Sequence, residues 1–320
     1  MLFSTKTLIA FLPFLFFPSS AAALKISGNL AVIEYTPELV AAEDYYSKGE
    51  ITFSNGGVAE IVRDSSIHLA ANAETQALRQ YANHRNLRII YNVVESAYRL
   101  VVSKKSGVKT LADLKGKRIG SYSGTSAGYF VETLLGTVGL KPNDYTIVSG
   151  GICLASPCTS SSFPGMLARG SIDAVGMWEP TSELAIEALG GHDNVVIFQN
   201  KTVYREIFNL HSTTEKLKDA NTRKEIVRFL QALMKAQVTF DTDPEKVLPR
   251  ASKAVNVTTD VLRKVWPDHN WKGGLPADQL DVLVAEDKYV ARIDNRAALS
   301  RSQLANLVDG SVMEEALQTL

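Results

Sequence analysis

From Leu24 onward the chain alternates short β-rich runs with helical segments, and this rhythm constrains the fold more than any other feature. Units of that kind assemble into an α/β architecture, a mainly parallel sheet covered by helices. One series reads as strands at 25–33, 51–53, 66–71, 87–94 and 98–102, with helices at 37–47, 56–63 and 74–82. A second opens with a short helix at 111–114 and runs through strands at 117–121, 145–148, 172–177 and 194–198. Its helix at 126–138 sets Phe130, Leu134, Leu135 and Val138 on one face. From Lys201 the pattern turns mostly helical, and Ile226, Phe229, Leu230 and Leu233 keep the spacing of a helix packed on one side. No low-complexity linker interrupts the chain, so strands and not a floppy tether are expected to join its halves.

The first 23 residues stand apart. Lys6, an apolar run at 8–17 and the small residues Ala21, Ala22 and Ala23 have the layout of a secretory signal peptide. The run is too short to span a bilayer comfortably, so the expectation is a secreted or periplasmic protein without stable membrane insertion. Lys+Arg and Asp+Glu balance at 34 each, which argues against a nucleic-acid partner. Cys153 and Cys158 are expected to pair in an oxidising compartment, fixing one short loop. Asn200 and Asn256 head N-x-[ST] sequons that a eukaryotic source could glycosylate. The zincin, C-x-x-C, G-x-S-x-G and Walker patterns are missing, so no catalytic residue, metal or cofactor is expected.

A faint echo links the two series. Residues 172–180 can be laid on 67–75, each a buried strand, a turn and a helix whose first turn carries a glutamate. In open α/β sheets ligands sit at that carboxyl end of a strand. Two such edges facing a shared gap describe a clamshell.

The stretch from Thr110-Leu111-Ala112-Asp113-Leu114 to Gly120, with Ser123-Gly124-Thr125-Ser126 after it, resembles the start of the second lobe in type II periplasmic binding proteins. Leu167 to Ala174 with Trp178-Glu179-Pro180 adds to the likeness. Together they resemble the sulfonate/taurine/nitrate and thiamine-pyrimidine branch, the SsuA/THI5-like (NMT1) group. The resemblance implies a two-lobe fold with a two-stranded hinge and a helical C-terminal tail. It would assign 24–101 to lobe 1, 102–198 to lobe 2 and 199–320 to the return into lobe 1 plus the tail, crossing near Val101-Val102 and at 199–203.

Residues at strand ends and strand-to-helix turns are the candidates for the cleft. They are Glu34 and Tyr35, Asn55 and Gly56, Asn72 and Glu74, then Ser123, Thr125 and Ser126, and finally Trp178 and Glu179. Hydroxyls and free N–H groups at a helix start suit an anion. Trp178 could stack on a flat ligand. The three glutamates fit an amine, amide or heterocycle better than a bare sulfonate. The expected function is therefore a monomeric solute-binding protein closing on a small polar or aromatic molecule, feeding an ABC importer if the source is bacterial. The alternative is an enzyme on the same fold, desulfinase-like or pyrimidine-synthase-like.

Overall fold

The computed structural model describes residues 23–47 and 49–320. Apart from Ala23, the expected signal peptide lies outside the described residues. Along the chain the strands are β1 (Leu24–Gly28), β2 (Ile51–Asn55), β3 (Leu69–Ala73), β4 (Leu87–Ser96), β5 (Arg99–Ser103), β6 (Arg118–Gly120), β7 (Thr146–Val148), β8 (Ala174–Met177), β9 (Val195–Phe198), β10 (Glu206–Thr213) and β11 (His269–Asn270). The α-helices are α1 (Thr36–Val40), α2 (Val58–Ile61), α3 (Glu74–Tyr81), α4 (Ser126–Gly136), α5 (Phe163–Ala168), α6 (Thr181–Ala188), α7 (Thr214–Lys218), α8 (Ala220–Thr242), α9 (Pro244–Val255), α10 (Thr259–Val265), α11 (Gln279–Ile293), α12 (Arg301–Ala305) and α13 (Ser311–Gln318).

Two sheets result, one ordered β11-β4-β10-β3-β1-β2 and the other β7-β6-β8-β5-β9. Both are mixed, which corrects the expectation of mainly parallel sheets. β1 pairs in parallel with β2 and β3, as β6 does with β7 and β8, but β4, β5, β9, β10 and β11 run antiparallel to their neighbours. The reason is topological. The chain leaves the first sheet along β4 and returns along β10, and the leaving and returning strands lie side by side. β5 and β9 repeat this in the second sheet. The crossings fall at residues 97–98 and 199–205, so Val101 and Val102 lie inside a strand of the second sheet.

The first sheet is covered on one side by α8, α9 and α10 and on the other by α3 and α11. The second is packed by α4, α5 and α6. In α8, Asp219 caps the helix by accepting the Thr222 N–H at 2.8 Å, and Ile226, Phe229, Leu230 and Leu233 are all buried. That is the spacing the sequence shows. β1 is shorter than its apolar run suggests, because the Asn29 carboxamide accepts the Ala31 N–H at 3.1 Å and turns the chain into a 3-10 turn over Ile33–Tyr35.

The echo between the halves has an atomic basis. His68, just before β3, accepts the Lys25 N–H on Nδ1 at 3.0 Å, while Asp173, just before β8, accepts the Arg118 N–H at 2.9 Å. Both side chains hold the start of the neighbouring strand. Burial keeps His68 below the usual histidine range, in line with a neutral acceptor.

Cys153 and Cys158 form a disulfide, and the loop they close packs Cys153 and Leu154 against the apolar cluster of the first sheet. Replacing both with serine is expected to lower stability by about 2 kcal/mol, the loop-closure value for so short a ring. Urea denaturation of the oxidised protein against the variant checks this.

Candidate ligand cleft

A cavity of ≈ 200 Å³ opens where the carboxyl ends of β1 and β3 face α4 and the end of β8. Its walls bring together Glu34, Asn72, Thr125, Ser126 and Trp178, five of the residues expected there, with Asn29, Val32, Ala73, Gln76, Glu206 and Phe208. A larger groove of ≈ 600 Å³ lies elsewhere, between the disulfide loop and α10. Its charges are already paired, Lys264 with Glu187 at 2.7 Å and Arg263 with Glu245 at 2.9 Å. The cleft cavity is the better candidate.

Each wall is set by local structure. Asn72 is in β3, and its Oδ1 accepts the N–H of Ala73 at 2.8 Å. Gly57, at φ +60°, passes so close that a Cβ there would stand 2.5 Å from Asn72 Nδ2, so only glycine fits. Thr125 is the N-cap residue of α4, yet its hydroxyl donates to the Tyr122 carbonyl at 2.8 Å and does not cap the helix. Trp178 is half-buried and tilts against Tyr122, with ring centroids 6.1 Å apart.

The other expected residues stand off the lining. Tyr35 is fully buried, edge-on to Phe53. Asn55 is exposed and uses its carboxamide oxygen to accept the Leu30 N–H at 3.1 Å, and Gly56 beside it is exposed too. Ser123 is exposed. Glu74 is buried behind the lining, accepting from the Tyr204 hydroxyl at 3.1 Å and the Ile207 N–H at 3.0 Å. Glu179 lies beneath Trp178 in the chain and accepts from Arg99 Nε at 2.7 Å. Both sequon asparagines, Asn200 and Asn256, are exposed.

Glu206 is the residue the sequence reading missed. It opens β10, a strand buried along its whole length whose polar residues conceal the usual alternation. The Tyr98 hydroxyl donates to Glu206 Oε1 at 2.7 Å and lies 3.0 Å from Ser126 Oγ. Burial pushes the Glu206 carboxyl well above its ordinary range, with Glu34 and Glu74 adding repulsion, while hydrogen bonds from Tyr98 and Ser126 oppose the rise. The Glu206 carboxyl thus already occupies the start of α4, where an anionic guest would have to sit.

A model for the family described as NMT1/THI5 like matches residues 37–247. The chain belongs to the NMT1/THI5-like family. Among relatives, a Haemophilus influenzae protein named for thiamine biosynthesis is 28% identical over 212 residues, 63% of this chain and 62% of that protein. The chain therefore aligns with a little under two thirds of that relative's length. Among solved structures, the Escherichia coli periplasmic aliphatic sulphonate binding protein SsuA superposes with a TM-score of 0.70 at 16% identity, over 88% of this chain and 96% of that one. The desulfurization enzyme DSZB superposes at 0.62 and 13% identity, over 93% and 99% of the two chains. These likenesses establish a periplasmic-binding-protein-like fold.

In this NMT1/THI5-like chain the hinge is aromatic and ionic. Tyr98 and Tyr204, one on each crossing, pack edge to face with centroids 5.3 Å apart. Arg99, the next residue after the first crossing, meets Glu179 at 2.6 Å, Glu183 at 3.1 Å and Asp268 at 3.5 Å. Among the described residues no helix is long and apolar enough to cross a membrane, and no cluster of His, Cys, Asp or Glu has the makings of a metal site.

Proposed function

We propose that this protein is an exported solute-binding protein that traps a small polar or aromatic molecule, sulfonate-, pyrimidine- or amine-like, between its lobes. The observation that carries the reading is the cavity itself, bounded by both lobes beside the two crossings, where hinge motion would open and shut it. In a bacterium it would serve as the capture subunit of an ABC importer. In a eukaryote it would act as a soluble monomeric scavenger or sensor, and the sequons at Asn200 and Asn256 would carry glycans.

The likeness to DSZB supports a second reading, an enzyme on the same fold. Against it, both cysteines are tied in the disulfide, which removes a thiol nucleophile. A thermal-unfolding screen with sulfonates, pyrimidines, amines and aromatic acids tests both readings. A true ligand at 100 times its Kd raises stability by about 2.7 kcal/mol. Recovery of that compound unchanged by mass spectrometry supports binding, and its conversion supports the enzyme.

Trp178→Ala is expected to weaken whatever ligand the screen identifies by roughly 5-fold to 150-fold, the worth of about 1–3 kcal/mol of lost aromatic contact. Titration calorimetry of both proteins reads this directly. Unchanged affinity would place the ligand outside the cleft.

A further inference from the structure

The titratable side chains lining the cleft cavity are of one kind, carboxyl groups. Among the described residues Glu34 and Glu206 both line it, and no lysine, arginine or histidine does. Both are almost fully buried, at 2% and 4% exposure, so neither carboxylate is satisfied by bulk water. Each keeps one oxygen, Oε2, with no hydrogen-bond partner among the described residues. Their other oxygens are engaged: Glu206 Oε1 accepts from Tyr98, and Glu34 Oε1 lies 3.4 Å from Ser96 Oγ and 3.8 Å from His269 Nε2. Leaving a buried carboxylate oxygen without a donor is costly, and the arrangement persists in a binding protein where the guest supplies the donor.

The remaining wall is chemically different. Trp178, Phe208, Val32 and Ala73 give the cavity an apolar side. At ≈ 200 Å³ it is smaller than the roughly 300–1,000 Å³ that drug-sized ligands occupy. Its guest is a single compact molecule.

We infer that the cleft takes a small organic cation, an ammonium or amidinium head held by the free oxygens of Glu34 and Glu206 with a flat or apolar body against Trp178 and Phe208. This rests on the reading that the cleft binds a solute, and it sharpens that reading. An anion such as a sulfonate would meet two carboxyl groups and, among the described lining residues, no cationic side chain. Glu206 also takes the place at the start of α4 that an anion would need. An N–H-rich cation reverses every one of these conflicts, and paired charge-assisted hydrogen bonds are the strong kind.

Three benzene derivatives separate the possibilities: benzamidine as the cation, benzamide as its neutral isostere and benzenesulfonate as the anion. Titration calorimetry on the purified protein should show benzamidine binding at least about tenfold more tightly than either of the others. Glu206→Gln and Glu34→Gln, each checked for native circular dichroism, should erase that preference while leaving benzamide unaffected. Trp178→Ala should weaken benzamidine and benzamide alike. Equal binding of the three probes, tighter binding of benzenesulfonate, or a cation preference that survives both glutamine variants would overturn the assignment. So would failure of benzamidine to bind. Benzenesulfonate or benzamide binding more tightly than benzamidine, in a complex that Trp178→Ala weakens, would overturn the cation but leave the solute-binding reading intact.

Discussion

Replacing Arg99 with methionine should destabilise the protein by about 3–5 kcal/mol, the cost of stranding buried charge when one partner of an ion pair is removed. Arg99 has a side-chain exposure of only 9%, and it faces Glu179 and Glu183, themselves at 3% and 2%. Burial raises the Glu179 carboxyl above its usual range even with Arg99 pulling it down, so without the guanidinium little favours the ionised form. The Glu183 N–H at 3.1 Å is the next support of Glu179, and it is a weaker one. Lys264 reaches Glu183 from outside at 3.5 Å but is half-exposed and also serves Glu187. The expected fall in melting temperature is roughly 5–8 °C for a chain of this size. Adding Glu179→Gln to the methionine variant should recover part of the loss, because the stranded charge is then gone. A fall smaller than about 1 kcal/mol in chemical denaturation would show that water or a rearranged lysine replaces the guanidinium.

Arg99 also shows which parts of this molecule could be read before the structure. Its apolar neighbours Leu100, Val101 and Val102 mark a strand plainly, and so do most elements built on periodicity, such as α4 and α8. The side chains at strand ends and strand-to-helix turns are equally legible, and of these Asn72, Thr125, Ser126 and Trp178 line the cavity. What stayed hidden depends on pairing between distant segments. Glu206 and Phe208 lie in a strand with Asn209, His211 and Ser212, all buried, and a central strand carrying so many polar groups looks like a loop. Each of these polar side chains has at least one partner on a distant segment, as when Gln279 donates to Asn209 at 3.3 Å and His68 O accepts from Ser212 at 2.9 Å. No local pattern encodes those partners. Glu179 fails in the opposite direction: a strand-end position suggests a cleft residue, but Arg99, eighty residues away, claims its carboxylate.

Stability should depend on pH through the carboxylates behind the cleft, and Glu286→Gln isolates that dependence. Glu74 and Glu286 are fully buried and in contact, and neither oxygen of Glu286 has a donor beyond the proton the pair can share. Burial pushes Glu74 up to about 7, while Glu286 rises well above the ordinary range from burial and from repulsion by Glu74. A carboxyl whose folded value exceeds its unfolded one stabilises the fold fully below the unfolded value, near pH 4.5, and loses that contribution as pH climbs through the folded value. For Glu74 the window runs from about pH 4.5 to 7, worth on the order of 3 kcal/mol. His211 works the other way. Burial lowers it to about 4, so its contribution is present above its ordinary value and falls away as pH drops through 6.5 toward 4. The raw melting temperature therefore mixes opposed trends, and the difference between wild type and variant is the informative quantity. Glutamine keeps the volume of Glu286, donates to Glu74 without carrying charge, and leaves His211 untouched. At pH 5, where the pair is protonated, Glu286→Gln should match the wild type closely. At pH 8 it should be the more stable by about 2–3 kcal/mol, because the wild type must then keep Glu286 protonated or bury a second charge beside Glu74, and the variant does neither. Denaturation midpoints at the two pH values give the answer. A variant that is less stable at pH 8 than at pH 5, relative to wild type, would mean that Glu286 is ionised and paired in the folded protein, and that the carboxylates behind the cleft do not share a proton.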